Sequence, residues 1–359
     1  MGFPSAPDAV TAAVRVTVGL AACATLMGLW GRAGWLCELA CHFRLQYAWL
    51  LLGGITFFLV TGHLPEAALS VPFTLVNLAL IAPVYVGGAP WTHRPLGPVR
   101  DPSAGIPQPR VEERGEILSG GRRPMSHFES KSRARRIPRG TVRAFSANVQ
   151  WSNRSFDRLH RVIRDVDPDL IMLVEVTTEW LAALSKLRAG YPFSKSVLGQ
   201  GGFGATLHSR LPFERAEVAY LGTVKLPAVV ARVRLDDRRF TVIGTQPVSP
   251  TTPHRMRRRN RQLAALAEFA ALQGRPLMIL GDLNTTSWSP VFQDFLRAAQ
   301  LRDSRVGFGL QPTWPAVAAP LRIPIDHCVV SEDIVVQQRR VGPRIGSDHL
   351  PVVVEFSIG

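Results

Sequence analysis

The sequence predicts an α/β domain in residues 141–359, preceded by three membrane-spanning helices in residues 1–88 and a basic linker in residues 89–140. Three observations predict this organisation. Long runs without charge occupy the first ninety residues, strand-like and helix-like segments alternate after residue 140, and the stretch between them is rich in Pro, Gly and Arg. The joining of two kinds of sequence explains how one chain carries a net charge of +15 and is also 46% hydrophobic.

The composition excludes two classes of protein. A mean hydropathy of +0.09 is too high for a wholly disordered chain, which lacks the apolar residues to form a core. Four Cys in 359 residues are too few for a small domain held together by disulfides.

The membrane prediction rests on three runs, residues 16–31, 45–65 and 67–93, that contain no Asp, Glu, Lys or Arg. A spanning helix needs about 20 mainly apolar residues, so the first run must also use Ala12 to Arg15. A cleaved signal peptide explains the first run less well, because Asp8 precedes the lone Arg15 and further apolar runs follow. We therefore predict a multi-pass protein of the plasma membrane, with the lipid bilayer as its partner.

The residues alone decide neither the orientation of the chain in the membrane nor the state of the linker. Three spans place the N-terminus and the C-terminal domain on opposite sides. The positive-inside rule favours the cytoplasm for the Arg-rich flank after the third span, but it is weak for long segments. The linker shows no helical or strand period, which fits a flexible solvated connector or a cationic segment lying along anionic lipid headgroups.

Strands and helices alternate along the C-terminal 219 residues. Residues 169–176 form a nearly continuous apolar run, which is typical of a strand buried on both faces. This alternation predicts a two-layer or four-layer α/β domain. Strands are expected at 141–149, 169–176, 202–210, 228–235, 239–246, 276–284, 324–331 and 349–357, and helices at 155–166, 178–190, 254–274 and 289–300.

Carboxylates lie at the ends of these predicted strands, where α/β proteins usually place their sites. An Asp after a strand is, taken singly, more often a turn or cap residue than a ligand. Four carboxylates at one edge repel one another, however, and a hard divalent cation removes that cost. Oxygen ligands without Cys and with few His favour Mg²⁺ or Mn²⁺ over Zn²⁺. The four are Glu175, Asp282, Asp326 and Asp348.

Five motifs occur in a specific order: N-x-Q at 148–150, LVEV at 173–176, GDLN at 281–284, IDH at 325–327 and SDHLP at 347–351. In this order they resemble the endonuclease/exonuclease/phosphatase (DNase I-like) superfamily. The segment ELACHFRLQYAWLL, residues 38–51, resembles membrane-anchored bacterial members of the teicoplanin-resistance protein VanJ type. The resemblance implies a four-layer α/β sandwich, in which two packed mixed β-sheets are flanked by helices.

The resemblance also implies a metal site. Glu175 would be the main Mg²⁺ ligand, and Asp348 would bind the metal directly or through water. Asn148 would hold the phosphate or support the metal shell.

Catalytic roles follow from the same resemblance. Asp282 would align or deprotonate the attacking water, and Asn284 would donate to a phosphoryl oxygen. Asp326 would orient His349, whose imidazolium would stabilise the phosphorane. One position departs from the family pattern: Gln246 stands where many members carry a His that protonates the leaving group, and Gln cannot act as an acid.

These expectations describe a Mg-dependent phosphoric ester hydrolase. The VanJ-type resemblance implies an extracytoplasmic domain, a lipid-linked substrate such as the pyrophosphate of a cell-envelope lipid carrier, and a link to antibiotic resistance. Two alternatives remain. The net charge of +15 suits a nuclease, whose substrate is a polyanion. Gln246 suits a non-catalytic relative that only binds phosphate.

Overall fold

The computed structural model describes residues 6–86, 140–199 and 204–359. The predicted linker therefore lies outside the described residues, apart from Gly140. Within residues 6–86, the N-terminal part has four α-helices: α1 (Ala6–Leu29), α2 (Trp35–Cys41), α3 (Arg44–Val60) and α4 (Leu64–Ile81). The second part contains β1 (Thr141–Asn148), α5 (Phe156–Val166), β2 (Leu170–Val176), α6 (Thr178–Leu184), β3 (Phe193–Val197), β4 (Gly204–Ser209), β5 (Phe213–Leu221), β6 (Leu226–Leu235), β7 (Arg238–Thr245), α7 (Pro253–Ala271), β8 (Leu277–Asp282), α8 (Pro290–Ala299), β9 (Arg302–Asp303), β10 (Asp326–Val330), β11 (Ile334–Val341) and β12 (Val352–Ile358).

Two segments, Pro7–Leu29 and Leu64–Val84, are long and apolar enough to cross a membrane. Helices α2 and α3 meet the same test only together, with a bend of 68° between them. The structure thus supports two spans, or three if the bent pair counts as one. The sequence predicts a span at 45–65 but not α2, which is only 7 residues long.

The N-terminal bundle has a polar centre inside an apolar shell. The Asn77 amide donates to Thr25 Oγ1 at 2.8 Å, and Arg44 Nη1 donates to the Thr25 carbonyl at 2.9 Å. All three side chains are buried. Large apolar side chains instead face outward along the helices, among them Leu20, Leu59, Leu69 and Leu75.

Two six-stranded sheets are formed by the described residues after position 140. The first has the strand order β11-β12-β1-β2-β4-β3 and the second has the order β5-β6-β7-β8-β10-β9. Each sheet is mixed: β1 and β2 are parallel, as are β7 and β8, and the remaining pairs are antiparallel.

Three apolar cores separate four layers. The central core lies between the sheets and joins residues of β2, such as Met172, to residues of β7, such as Val242. A second core lies beneath α5 and α6, and a third lies beneath α7 and α8. Gly244 allows the sheets to approach, because a Cβ there would lie 2.0 Å from Met172 Sδ. The predicted four-layer α/β sandwich of two mixed sheets flanked by helices is confirmed.

Four strands were not predicted from the sequence: β3, β5, β9 and β11. All four are the outermost strands of the two sheets. Strands β5 and β11 are largely exposed or half-buried, so they lack the continuous apolar run that marks a central strand. Strand β9 has only two residues.

The helical part packs directly against the α/β part. Arg32, just after α1, forms an ion pair with Asp294 in α8. Val84, just after α4, accepts backbone hydrogen bonds from Gly307 at 3.0 Å and Gly309 at 2.9 Å. Gln46, near the start of α3, donates to the Arg322 carbonyl at 3.1 Å. Because the end of α1, the start of α3 and the end of α4 all lie at this interface, the α/β part sits at one end of the bundle.

Candidate active site

The ends of strands from both sheets assemble one polar cluster. Asn148 is the last residue of β1 and Glu175 lies near the end of the parallel β2. Asp282 ends β8 and is paired with Asp326, the first residue of β10. His349 lies just before β12. The first sheet therefore supplies Asn148, Glu175 and His349, and the second sheet supplies the two aspartates.

A β-bulge directs Glu175 into this cluster. In the pairing of β2 with β4, Val174 lies opposite Ala205 and Val176 lies opposite Gly204, so Glu175 is the extra residue. Its backbone φ of +61° is unusual for a residue other than Gly. Gly204 is required opposite the bulge, since a Cβ there would lie 2.1 Å from the Val176 carbonyl oxygen.

Two carboxylates share the same two amide donors. Asn148 Nδ2 donates to Glu175 Oε1 at 2.8 Å and to Asp282 Oδ2 at 3.2 Å. Gln246 Nε2 donates to the same two oxygens at 2.9 and 3.4 Å. Neutral amides therefore bridge Glu175 and Asp282, and they only partly offset the repulsion between two carboxylates.

An imidazole faces this carboxylate pair. His349 Nδ1 is 2.9 Å from Asp326 Oδ2, and His349 Nε2 is 3.8 Å from Asp282 Oδ2. All three side chains are buried. With Nδ1–H donating to Asp326, Nε2 points to the place where Asp282 and the Asn148 amide, 3.4 Å away, meet.

These charges shift one another's protonation. Burial alone lowers the pKa of His349, but the charges of Asp326 and Asp282 outweigh it and raise that pKa to about 10. Burial raises the pKa of Asp282 to about 7, although the His349 charge opposes this. Burial also opposes ionisation of Asp326, yet the charge and hydrogen bond of His349 keep its pKa below the usual value. These shifts favour a protonated His349 beside an ionised Asp326 at neutral pH, with Asp282 close to its own pKa.

Asp348 lies on the rim of the site. Its backbone N–H donates to Gln150 Oε1 at 3.0 Å, and its Oδ2 accepts from Trp314 Nε1 at 3.1 Å. The Trp151 backbone N–H, next in the chain to Gln150, donates to Glu175 Oε2 at 3.2 Å. Asp348 is therefore connected to Glu175 through the 150–151 turn.

Asn284 folds back over Asp282. Its backbone N–H donates to Asp282 Oδ1 at 2.9 Å, and its Nδ2 donates to the Pro247 carbonyl at 3.0 Å. Its φ of +51° suits an Asn, which tolerates the left-handed region better than most residues. The Asn284 carbonyl accepts a hydrogen bond from Arg259 Nη1.

The N-terminal helices support this loop from outside. Glu38 in α2 forms a buried ion pair with Arg259. His42 Nδ1 is 3.0 Å from Thr286 Oγ1, and the His42 carbonyl accepts from Trp288 Nε1 at 3.3 Å. The loop 284–288, which follows Asp282, is therefore packed between the α/β core and the helical part.

The donor set fits a hard divalent cation. Carboxylate oxygens are crowded together, and Gln246 Oε1 is a buried oxygen without a hydrogen-bond partner among the described residues. Within the described part of the chain, one group of three side chains has ligand atoms all within 4.8 Å of one another: Asp282, Asp326 and His349. This group differs from the predicted ligands Glu175, Asp348 and Asn148, which stay predictions. Within this group, Asp326 and His349 are already hydrogen-bonded to each other.

All seven predicted site residues lie in or beside this cluster. No role was predicted from the sequence for Gln150, Glu38 or Arg259. Gln150 belongs to the N-x-Q motif, so a signal for it existed. Glu38 opens the segment 38–51 quoted above, but nothing in the sequence signalled its pairing with Arg259, because only the tertiary fold brings a helix of the N-terminal part to α7.

Comparisons with known proteins agree with this architecture. The model of the Endonuclease/Exonuclease/phosphatase family matches residues 145–349. Because the match spans more than half of the chain and includes the site residues from Asn148 to His349, the protein belongs to this family. The search of curated protein sequences found no match.

Solved structures share the fold at low sequence identity. TDP2 of D. rerio, complexed with single strand DNA product, is 14% identical with a TM-score of 0.52, covering 60% of this chain and 99% of its own. The endonuclease/exonuclease/phosphatase from Bacteroides vulgatus is 17% identical with a TM-score of 0.51, covering 61% and 99%. The corresponding protein from Beutenbergia cavernae is 20% identical with a TM-score of 0.50, covering 62% and 72%.

Proposed function

We propose that this protein is a membrane-anchored, Mg²⁺- or Mn²⁺-dependent phosphoesterase that hydrolyses a phosphate ester or pyrophosphate of a cell-envelope lipid carrier. The observation that carries the proposal is the pair Glu175 and Asp282, bridged by the amides of Asn148 and Gln246 and faced by His349. Membership in the family supports hydrolysis of phosphate esters. The apolar N-terminal helices support action at a bilayer.

Each residue would contribute one task. Glu175 and Asp348 would hold the metal, with Asn148 supporting it; the bound metal would supply positive charge to a phosphoryl oxygen. Asp282, with its pKa raised to about 7, would orient the attacking water and accept its proton.

The charged His349 and the Asn284 amide would donate hydrogen bonds to phosphoryl oxygens as negative charge develops there. Asp326 would hold the imidazole in place through Nδ1. Gln246 donates to carboxylates and has no proton to give a leaving group, so a pyrophosphate, whose leaving group is a good one, suits this site.

Phosphate release tests the proposal. The full chain in detergent micelles is assayed with undecaprenyl pyrophosphate, phospholipids and DNA, with Mg²⁺, with Mn²⁺ and with EDTA. We expect metal-dependent release from the lipid pyrophosphate, and losses of about 10²–10⁴-fold in Glu175→Gln and in His349→Gln. Glu179→Gln, which changes an exposed acid on α6, is the matched control. Release that persists in EDTA, or in both site variants, would refute the mechanism.

A nuclease is the second candidate, because the net charge is +15 and a structural neighbour was solved with a DNA product. Plasmid cutting by the same preparation distinguishes the two. A nuclease would cut DNA with Mg²⁺ and lose activity steeply with rising salt, since phosphate contacts release counterions. A phosphate-binding protein without catalysis would show no turnover of any substrate.

We also propose that the α/β domain lies outside the cell. The side is tested with a membrane-impermeant thiol reagent on intact cells that carry Leu272→Cys, an exposed position at the end of α7, in a chain with Cys23→Ser and Cys37→Ser. Labelling of intact cells is expected. Labelling only after the cells are opened would place the domain in the cytoplasm.

A further inference from the structure

The loop between Trp314 and Ile323 carries an exposed apolar tip, residues 317–321. These five residues, Val-Ala-Ala-Pro-Leu, have no polar side chain. Val317 is 75% exposed and Leu321 is 55% exposed. Water-facing loops usually carry polar and turn-forming residues, so a continuous apolar tip of this kind marks a contact surface.

The base of this loop belongs to the rim of the active site. Trp314 and Ile323 form a backbone bridge, with the Ile323 N–H donating to the Trp314 carbonyl at 2.6 Å. Trp314 Nε1 donates to Asp348, and Thr313 Oγ1 accepts from the Asp326 backbone N–H at 3.3 Å. The tip is therefore held in a set position relative to the catalytic cluster.

The other side of the loop contacts the start of α3. Gln46 Nε2 donates to the carbonyls of Pro320 and Arg322, both at 3.1 Å. Gln46 is the third residue of α3, and Trp49, one turn further along, is 67% exposed. Aromatic residues of this kind mark the boundary of a bilayer. The tip thus lies at the level where α3 would enter the membrane.

Two arginines lie next to the apolar tip. Arg344 Nη2 donates to the Ala316 carbonyl at 2.7 Å, and Arg322 Nε donates to the Pro315 carbonyl at 3.3 Å. Cations beside exposed apolar side chains suit a surface of anionic lipids, where each cation adds attraction to the headgroups. The charge pattern and the position beside α3 agree on the same partner.

We propose that the apolar tip inserts into the surface of the bilayer that anchors the chain, so that the site receives the phosphate of a lipid whose chain stays in the membrane. The inference rests on the proposed function and names its substrate class: a long-chain lipid phosphate or pyrophosphate presented at the membrane surface. Helix α3, the tip and Asp348 would line the path from bilayer to site.

Site-directed spin labelling tests the contact without any activity measurement. The full chain is reconstituted in vesicles of phosphatidylethanolamine and phosphatidylglycerol, with Cys23→Ser and Cys37→Ser removing the two cysteines that are not buried. Nitroxide labels are placed at Val317→Cys and Leu321→Cys. We expect both labels to be accessible to oxygen and shielded from a water-soluble nickel chelate, as groups in a bilayer are.

Two labelled positions provide the references. Leu50→Cys lies in α3 and reports the membrane, and Leu272→Cys reports water. The 19-residue helix α7 starts near Pro250, whose carbonyl accepts a hydrogen bond from Trp35 of the N-terminal part, and Leu272 lies at the opposite end of α7. Labels at 317 and 321 that are as open to the chelate as the label at 272 would overturn the proposal. A chelate-accessible label at 50 would overturn it as well, because the chain would then lack its anchor.

An activity measurement separates this inference from the proposed function. The double variant Val317→Ser/Leu321→Ser is expected to hydrolyse a bilayer-embedded lipid pyrophosphate about tenfold more slowly, because two apolar contacts are lost. Hydrolysis of a short-chain soluble pyrophosphate should not change. If the variant and the native chain hydrolyse the embedded substrate at equal rates, the inference is contradicted and the proposed phosphoesterase function stands. If the native chain turns over neither substrate, the phosphoesterase function is contradicted. The spin-label measurements then still test whether the tip contacts the bilayer.

Discussion

Glu38, in the short helix before the second predicted span, forms a buried ion pair with Arg259 in α7 of the α/β domain. The two side chains are 1% and 0% exposed. Arg259 also donates to the carbonyl of Asn284, a residue of the candidate active site. A charge in the short helix α2 is thereby connected to the loop of the candidate active site through one side chain, so the N-terminal part also supports the site.

Breaking this pair should be costly. Glu38→Gln leaves the Arg259 charge buried without its partner, which typically destabilises a protein by about 3–5 kcal/mol. Thermal and denaturant unfolding of the full chain in detergent measures the loss. Glu214→Gln, which breaks the exposed pair of Glu214 with Arg239, is the control and should cost less than about 1 kcal/mol. Equal losses in the two variants would contradict a special role for the buried pair.

The stability of the metal-free protein should depend on pH through His349. Its pKa in the folded protein, about 10, lies above the unfolded value of 6.5, so the stabilisation is complete below pH 6.5 and is lost as the pH rises toward 10. Asp326→Asn removes the main partner charge. The difference in Tm between native protein and this variant, measured with EDTA, should therefore be large at pH 6 and small near pH 10. A difference that does not vary with pH would contradict the charged histidine.

Metal binding should stabilise the folded chain. A ligand that binds only the folded state raises the free energy of unfolding by RT ln(1 + [L]/Kd), which is about 2.7 kcal/mol at one hundred times Kd. We expect Mg²⁺ or Mn²⁺ to raise Tm in the native protein, and to do so much less in Glu175→Gln. Glu179→Gln should respond like the native protein. No shift in the native protein at millimolar metal would argue against the site.

Gln246 offers a test of the missing acid. Gln246→His places a titratable group beside Glu175 and Asp282, and general acid catalysis contributes up to about 10²–10⁴-fold when geometry is favourable. We expect turnover of an alkyl phosphate ester to rise about tenfold relative to that of a nitrophenyl ester, whose leaving group needs no proton. Gln246→Leu, which only removes the amide, should slow both substrates. A parallel change in both substrates for Gln246→His would show that no acid was gained.

The backbone conformation at position 281, just before Asp282, requires a glycine. Its φ is +146°, and a Cβ would lie 2.0 Å from the Thr245 carbonyl oxygen. Gly281→Ala should therefore destabilise the domain by about 2 kcal/mol or more, through strain and a steric clash between β7 and β8. Denaturant unfolding compares it with Gly190→Ala, where the nearest atom to a new Cβ is 3.9 Å away. Similar stabilities for the two variants would contradict the strain.

Much of the candidate site was predictable because its sequence motifs lie at the ends of predicted strands. The motifs around Asn148, Glu175, Asp282 and Asp326 each follow or open a buried strand, and parallel or paired strands bring such ends to one edge. The bulge at Glu175 was not predictable, because it depends on the partner strand β4. Likewise Gln246 was visible as a departure from the family, but its bonds to two carboxylates depend on both sheets meeting.

The sequence by itself determined the long apolar N-terminal helices, the alternating α/β pattern and the residue types of the candidate phosphoryl-transfer site, since these depend on local hydropathy and on side-chain chemistry. Only the tertiary structure decided which edge strands complete the sheets, how helix α2 supports the loop at Asn284, and where residues 317–321 lie. Such contacts join residues far apart in the chain, and a buried ion pair such as Glu38–Arg259 forms only where packing excludes water from both charges.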